Sequence, residues 1–446
     1  MTTLYVGNSY NETLVGDLSQ FDPEERRIGG NLSCRLVWLM DPGDLLVSPQ
    51  PISDEFLGYA SRLKGVPITS ADVVIPPPGG FGEDVLTADR LREGRFVDEL
   101  RAMIAGRGLD RIVPYCYDQI IASLARDVGI GSHDASAAFC EAGGVDLINR
   151  KSVFRALCGG AGVPVADGLV TRSVSEATDF VTSFIEAGQS VIVKQDAHQG
   201  GHGNEILTPS ADTVQLGAAV LTVVADRHAV EERLGEQWPR FSSNSRDPVV
   251  IEHYLENAIS LGCEVSLAGE SAVMRHTVEM RMTPVFDGFL IPPSLISEEC
   301  NAEFSRYSLE LANVVHAMGY RGYINIDGLA ADDGKVVVLN EFNGRLGAST
   351  HLHWIGRALI GDDYLRRRYL ISNNDLKVDS FSSAAEALER AGLAFDPERG
   401  EGVILTCDHT AQSGAVEYCA VGTDVATAAD YERRLHLLST SRRQHP

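Results

Sequence analysis

The stretch Gly322–Thr350, GYINIDGLAADDGKVVVLNEFNGRLGAST, most constrains what this chain can fold into. Two apolar runs, Tyr323–Leu329 and Lys335–Leu339, flank the polar turn Ala331-Asp332-Asp333-Gly334, the pattern of a β-hairpin. Asp327 sits inside the first run, and Asn340-Glu341-Phe342-Asn343 closes the second. A strand interior buries a carboxylate only when something offsets its charge. Pairing of the two strands brings Asp327, Glu341 and Asn343 side by side. Together they offer hard oxygen ligands of the kind that hold Mg2+ against phosphates. The competing reading is an edge hairpin with outward-facing acids.

A chain of 446 residues is long enough for two or three domains with large cores. Its 44% hydrophobic and 22% charged residues are ordinary for a globular protein. Acids outnumber bases 62 to 38, giving a net charge of -24. A surface that negative repels nucleic acid and anionic membrane, so neither is an expected partner. Lysine is scarce, confined to Lys64, Lys151, Lys194, Lys335 and Lys377, which makes each lysine a useful marker. The eight cysteines form no C-x-x-C pair, which points to free thiols in a reducing cytoplasm rather than a disulfide framework. The start, MTTLYVGNSYNETLVGDL, lacks a basic head and a long apolar run, so no secretory signal is expected. No segment approaches the length of a membrane span. A cytoplasmic protein is the expectation.

The first third alternates strand-like and helix-like pieces, the mark of an open α/β layer. Strands are expected at Leu4–Val6, Arg35–Met40, Asp72–Ile75 and Arg111–Val113, with a helix at Gln119–Val128. Gly7 and the Gly29-Gly30 pair do not make G-x-G-x-x-G, so a dinucleotide fold has little support. A second unit begins near Asn149. It reads as helix Lys151–Cys158, a helix capped by Ser173 with Glu176 at its third position, and strand Val191–Lys194. A helical stretch at Thr213–Leu234, a polar loop at Arg240–Asp247, strands Pro248–Leu255 and Cys263–Leu267, and helix Phe304–Met318 lead into the acidic hairpin. After about Leu370 the pattern restarts, with helix Ser383–Ala391, strands Val403–Cys407 and Ala415–Val421, and a closing helix Ala426–Leu438. The boundaries this implies are 1–148, 149–375 with a lid subdomain at about 165–255, and 376–446.

Lys194 ends an apolar strand and precedes a loop with Gly200, Gly201 and Gly203. Three glycines in four positions free the backbone to approach a bulky anion, although a plain hairpin loop has the same composition. A buried strand-end lysine needs an anion. Lys151 opens a helix, where the dipole disfavours a cation unless a negative ligand is present. Val249–Leu255 is an apolar strand running through Glu252, and Glu264 belongs to the next strand. A strand of this kind can offer backbone groups to an adenine edge and a carboxylate to ribose hydroxyls; an edge strand with exposed acids would read the same.

The order of these parts, lysine, lysine with glycine loop, hinge strand with two glutamates, then Asp…Glu-x-Asn, resembles the ATP-grasp superfamily. The resemblance covers about Asn149 to Leu370, and its flanking segments are most similar to those of the pheganomycin-type peptide ligases. It implies an α/β (α+β) fold with ATP between two lobes, an N-terminal α/β pre-ATP-grasp domain and a small C-terminal α+β domain. By the same resemblance Lys151 and Lys194 would contact ATP phosphates, Gly200, Gly201 and Gly203 would form the lid loop, and Glu252 and Leu255 would hold adenine. Glu264 would take the ribose, Asp327, Glu341 and Asn343 would bind Mg2+, and Arg345 would face the transferred phosphate and acyl oxygen. Asn325 stands where some relatives carry arginine, which leaves oxyanion stabilisation to Arg345.

The implied chemistry is that of a carboxylate–amine ligase: phosphoryl transfer makes an acyl phosphate from a small acid or amino acid, and a peptide amine displaces the phosphate. Antibiotic biosynthesis is the implied setting. The alternatives are a dipeptide-forming or carboxylase-like enzyme, and an ATP-binding regulator or scaffold without turnover. Arg275, His276, Arg281 and His351 are candidate substrate contacts. His351 and His353 point the same way only if their segment is extended, and His198 and His202 flank glycines that break a helix, so neither pair is read as a zinc site. The sequence leaves the assembly open, a homodimer included, and does not name the donor acid or the acceptor.

Overall fold

The computed structural model describes residues 2–130, 135–197 and 200–442. His198 and Gln199 lie outside them. Three sheets organise the chain. The first is parallel, in the order β3-β2-β1-β4, from β1 (Thr3–Val6), β2 (Leu45–Val47), β3 (Val73–Val74) and β4 (Arg111–Pro114). Leu4, Val6, Leu45 and Val47 are fully buried in it, and helices Gly94–Arg107 and Gln119–Val128 pack their apolar stripes on the same core. The stretch expected as a strand at Arg35–Met40 is instead the 3-10 helix Leu32–Leu39. All but its first residue are buried, and periodicity does not separate a fully buried strand from a fully buried helix.

The second sheet runs β5-β9-β6-β7-β8, from β5 (Gly168–Thr171), β6 (Val191–Gln195), β7 (Asn204–Thr208), β8 (Val220–Val223) and β9 (Val249–His253). Helices Val174–Glu186 and Arg227–Phe241 cover one face through Val181, Ile185, Val230 and Leu234. Ser173 caps the first of these helices by accepting from the Glu176 N–H, while the Glu176 carboxylate turns to the Thr171 hydroxyl at 2.6 Å. The expected helix at Thr213–Leu234 divides: strand β8 comes first and the helix starts only at Arg227, capped by Asp226. It runs on through Phe241, into the stretch read as a polar loop.

The third sheet has eight strands in the order β14-β13-β10-β11-β12-β15-β17-β16. These are β10 (Ile259–Ser266), β11 (Val273–Met282), β12 (Phe286–Ile291), β13 (Tyr323–Ala331), β14 (Val336–Asn343), β15 (Tyr369–Lys377), β16 (Gly402–His409) and β17 (Ala415–Gly422). Strands β16 and β17 continue this sheet through β15. Helix Glu298–Ala317 buries Phe304, Leu311, Ala312 and Val315 in the core the sheet shares with Phe154 and Phe342. The N-terminal layer and this sheet meet through that core too: Trp38 Nε1 donates to the Thr406 carbonyl at 2.8 Å, and Arg35 pairs with Glu417. Cys34 and Cys407 are joined as a disulfide across the same contact, which corrects the expectation that all thiols are free. The remaining six cysteines are buried and outside any disulfide.

Candidate active site

The hairpin β13–β14 forms as the sequence implies, with Asp327 opposite Glu341 and Asn325 opposite Asn343. One detail was not readable. The register slips between Asp327 and Gly328, so that Gly328 faces Leu339 and Asn340 is an extra residue, a β-bulge. Strict alternation would send Asn340 and Glu341 to opposite faces. The bulge lets both line one cavity, together with Asp327 and Asn343.

That cavity, of about 680 Å3, is lined by the third sheet, by the glycine loop before β7 and by helical and loop residues of the N-terminal layer. Lys151, at the start of helix Lys151–Ala161, reaches Glu341 Oε2 at 3.1 Å. The Asn343 amide donates to Glu341 Oε1 at 3.3 Å. Asp196 caps the helix of Lys151, accepting from the Ser152 N–H at 2.8 Å, while its carbonyl accepts from the Lys151 N–H at 3.0 Å. An acid at the helix start is favoured by the dipole and anchors the end of β6 there. Lys194, fully enclosed, donates to Glu252 and, at 2.7 Å, to Asn340 Oδ1. Arg155 takes the other Glu252 oxygen. Glu252 is therefore engaged by two cations in this state, and Leu255 is half-buried just beyond β9.

Electrostatics mark the carboxylate pair. Burial raises the Asp327 carboxyl well above its ordinary range, the charge of Glu341 adds to that, and Arg345, Lys151 and Lys194 pull against it. Burial also pushes Glu341 upward, but Lys151 and Lys194 outweigh it and hold Glu341 below its ordinary value. Two carboxylates face each other with one partly uncompensated, a donor set of hard oxygens that a divalent cation would complete. The residues fit the metal.

Gly200 and Gly201 line the cavity with left-handed backbone (φ +70° and +82°), and Gly203 is buried behind them. A Cβ on Gly201 would stand 2.8 Å from the Gly217 carbonyl oxygen, so the loop closes only with glycine there. Arg345 lines the cavity beside Asn343. Asn325, the position of the departure noted in the sequence, donates to the Arg345 carbonyl at 2.7 Å. A Cβ on Gly347 would meet Asn325 Oδ1 at 2.0 Å, so the segment carrying Arg345 packs flat on β13.

Other sequence candidates go elsewhere. Glu264 has no exposed surface; Thr350 Oγ1 donates to its Oε2, and its Oε1 has no hydrogen-bond partner. It sits beneath the wall rather than in the cavity, with its carboxyl pushed up to about 7, chiefly by burial. Arg275 is exposed on β11 and is not among the cavity residues. Arg281 is tied to Glu432 at 2.6 Å and to the Ser372 carbonyl at 3.0 Å, joining the sheet to helix Val425–Arg442. His276 is buried, shares a hydrogen with Ser349 Oγ at 2.9 Å and stacks on His353, the ring centroids 4.6 Å apart. His351 is buried 3.8 Å from Glu417, and burial lowers its ring to about 3, leaving it neutral. Sequence reasoning missed Asn340, Arg155 and Asp196. Only Asn340 carried a signal, being polar and adjacent to Glu341 at a strand end.

Comparison with known proteins agrees with this architecture. Residues 33–130 match the pre ATP-grasp domain family, and residues 383–435 match the PGM1 C-terminal domain family. The carbamoyl phosphate synthase large chain of Thermus thermophilus is 26% identical over 216 residues, 47% of this chain. That match spans 18% of the relative's own length. Among solved structures, the ADP complex of purK, an N5-carboxyaminoimidazole ribonucleotide synthetase, superposes with a TM-score of 0.58 at 14% identity, covering 98% of this chain and 96% of that one. The biotin carboxylase domain of the Hydrogenobacter thermophilus 2-oxoglutarate carboxylase gives 0.58 at 13% identity, covering 97% and 89%. The chain has the fold of the ATP-grasp superfamily. Among the described residues no helix is long and apolar enough to cross a membrane.

Proposed function

We propose that this chain is an ATP-dependent carboxylate–amine ligase using Mg2+. The observation that carries the reading is the convergence of Asp327, Glu341 and Asn343 with Arg345 on one cavity, backed by Lys151 and Lys194. Two solved relatives of the same fold were crystallised with ADP, one of them also with MgADP and bicarbonate. In this reading Asp327, Glu341 and Asn343 hold Mg2+, whose bound charge offsets that of the triphosphate. Lys151 and Lys194 meet phosphate oxygens when they leave Glu341 and Glu252. Arg345 faces the acid being activated and steadies charge on the transferred group and on the acyl oxygen. The glycine loop at Gly200–Gly203 covers the cavity and keeps water from the activated acid. Glu252 and Leu255 border the base.

The finer reading is a peptide ligase that activates a small, non-standard acid and joins it to a peptide's amine. It rests on the sequence resemblance and on the room beside the metal-binding end, where Met280, Met282, Phe286 and Phe289 give the cavity an apolar floor. Release of ADP from Mg·ATP tests the whole reading. Release that requires both an acid and an amine is expected. Tight ATP binding without release for any pair would overturn it in favour of a binding protein.

A further inference from the structure

Arg35 lies on the wall of the same cavity and is 5% exposed, yet no step above uses it. It comes from the 3-10 helix Leu32–Leu39, whereas its partner Glu417 comes from β17. Nε donates to Glu417 Oε2 at 2.8 Å and Nη2 to Oε1 at 2.6 Å, a two-pronged pairing that fixes the guanidinium plane. His409 Nε2 stands 3.1 Å from Glu417 Oε1, and Asn31 donates to the Asp408 carbonyl at 2.7 Å while meeting His409 Nδ1 at 2.9 Å. Glu417 is thus filled, and its carboxyl is held far below the ordinary range because Arg35 and His409 outweigh its burial. A buried ion pair is weak evidence for stability, since apolar residues of the same volume often serve as well. Its place on a cavity wall supplies a reason to keep it.

The guanidinium has five N–H groups, of which Glu417 engages two. The Tyr115 side chain is another polar group close to the guanidinium, and it too lines the cavity. The Tyr115 carbonyl accepts from the Leu346 N–H at 2.9 Å, so Arg35 is one side chain away from the segment that carries Arg345. Gly347, Ala348 and Ser349, which lead into helix Thr350–Leu359, line the cavity in between. Of the other cations that line the cavity, Arg345 serves the acid being activated and Lys377 is half-exposed and paired with Asp375 at 2.6 Å, whereas Glu24 and Glu25 would repel an anion; Arg35 is the enclosed cation that remains.

We propose that Arg35, oriented by Glu417 and assisted by Tyr115, binds a carboxylate other than the one activated: the free carboxylate of the amine substrate. The acceptor is then an amino acid or short peptide with an uncapped C-terminus. A carboxylate held at Arg35 leaves its amine free to turn toward the acid at Arg345, which raises the effective concentration of the nucleophile. The inference rests on the ligase reading and adds the acceptor's class to it.

Binding without turnover tests it. Phenylalanine and alanyl-phenylalanine, each as free acid and as carboxamide, are titrated by calorimetry into the full chain loaded with Mg2+ and a non-hydrolysable ATP analogue. Free acids are expected to bind about tenfold or more tightly than their amides. Arg35→Gln should erase that ratio and leave the affinity for the nucleotide analogue unchanged; Tyr115→Phe should narrow it. If Arg35→Gln does not fold, Arg35→Lys, which keeps the charge and loses the fork, should reduce the ratio without erasing it. Equal binding of acids and amides to the unsubstituted chain, or an unchanged ratio in a folded Arg35 variant, overturns the assignment. ADP release that depends on an acid–amine pair together with a flat ratio would sink this inference alone. Absence of release for every pair would sink the ligase reading instead.

Discussion

Replacing Glu264 with glutamine should make the protein more stable at pH 8 than at pH 5, relative to the unsubstituted chain. Glu264 is enclosed by β10, by His276 across from it on β11, by Asn325 on β13 and by Thr350. His276 is kept neutral, because burial drives its ring far below the ordinary value, so no cation of the wall meets the Glu264 charge directly. Arg275, exposed on the next position, lowers the carboxyl only a little. Burial is the largest cause, and it raises the group from 4.5 to about 7. The folded state therefore holds this proton more tightly than the unfolded chain. Below 4.5 both states are protonated and the group is silent. Between 4.5 and 7 the unfolded chain releases the proton first, so stability falls as pH rises, and above 7 the whole penalty is in force. The gap corresponds to about 3 kcal/mol. Glutamine keeps an oxygen acceptor for Thr350 and never ionises. Urea unfolding of both proteins at matched pH isolates the group, because Glu417 and the other carboxylates cancel in the difference. The advantage of Glu264→Gln should grow from near zero at pH 4.5 toward about 3 kcal/mol at pH 8. A difference that does not change with pH, or a glutamine variant less stable at pH 8, would refute the reasoning.

Asp327→Asn should raise the melting temperature of the metal-free protein at pH 7, since burial and the facing Glu341 make the folded chain hold a proton there that the unfolded chain releases, while abolishing ADP release; a lower melting temperature would count against the pairing. Lys194→Met should weaken ATP binding at least about a hundredfold and destabilise the fold by about 3 kcal/mol, because Glu252 keeps only Arg155. Adding Glu252→Gln should restore the stability and not the binding, which calorimetry and urea unfolding would separate. Alkylation of the denatured chain without reductant should label six of the eight cysteines, and all eight after reduction; eight labels without reductant would remove the Cys34–Cys407 link.

What the sequence made legible follows from how locally each feature is specified. The hairpin of Asp327 and Glu341 was readable because its turn, its alternation and its two misplaced acids all lie within about twenty residues. Helix Gln119–Val128 was readable for the same reason, since its apolar spacing and the Asp118 cap are neighbours in the chain. The bulge at Asn340 was not, because a slip of one residue is decided by what Asn340 meets, and its partner Lys194 lies 146 positions away. The 3-10 helix Leu32–Leu39 failed for a related reason: a segment buried on every side has no polar face to display a period.

The candidate substrate contacts divide along the same line. Arg275 and Arg281 attracted attention by following the hinge strands, yet one is exposed and the other is held by Glu432, 151 positions on. Arg35 looked like one basic residue in an apolar run, and only the meeting of the N-terminal layer with β17, 382 positions later, gives it a partner and a cavity. The residues proposed to handle the nucleotide, from Lys151 to Arg345, sit in short motifs along one continuous stretch of the chain. The residues proposed to choose the amine come from units that meet only in the folded chain, so substrate choice is the part of the function that needs coordinates to be read.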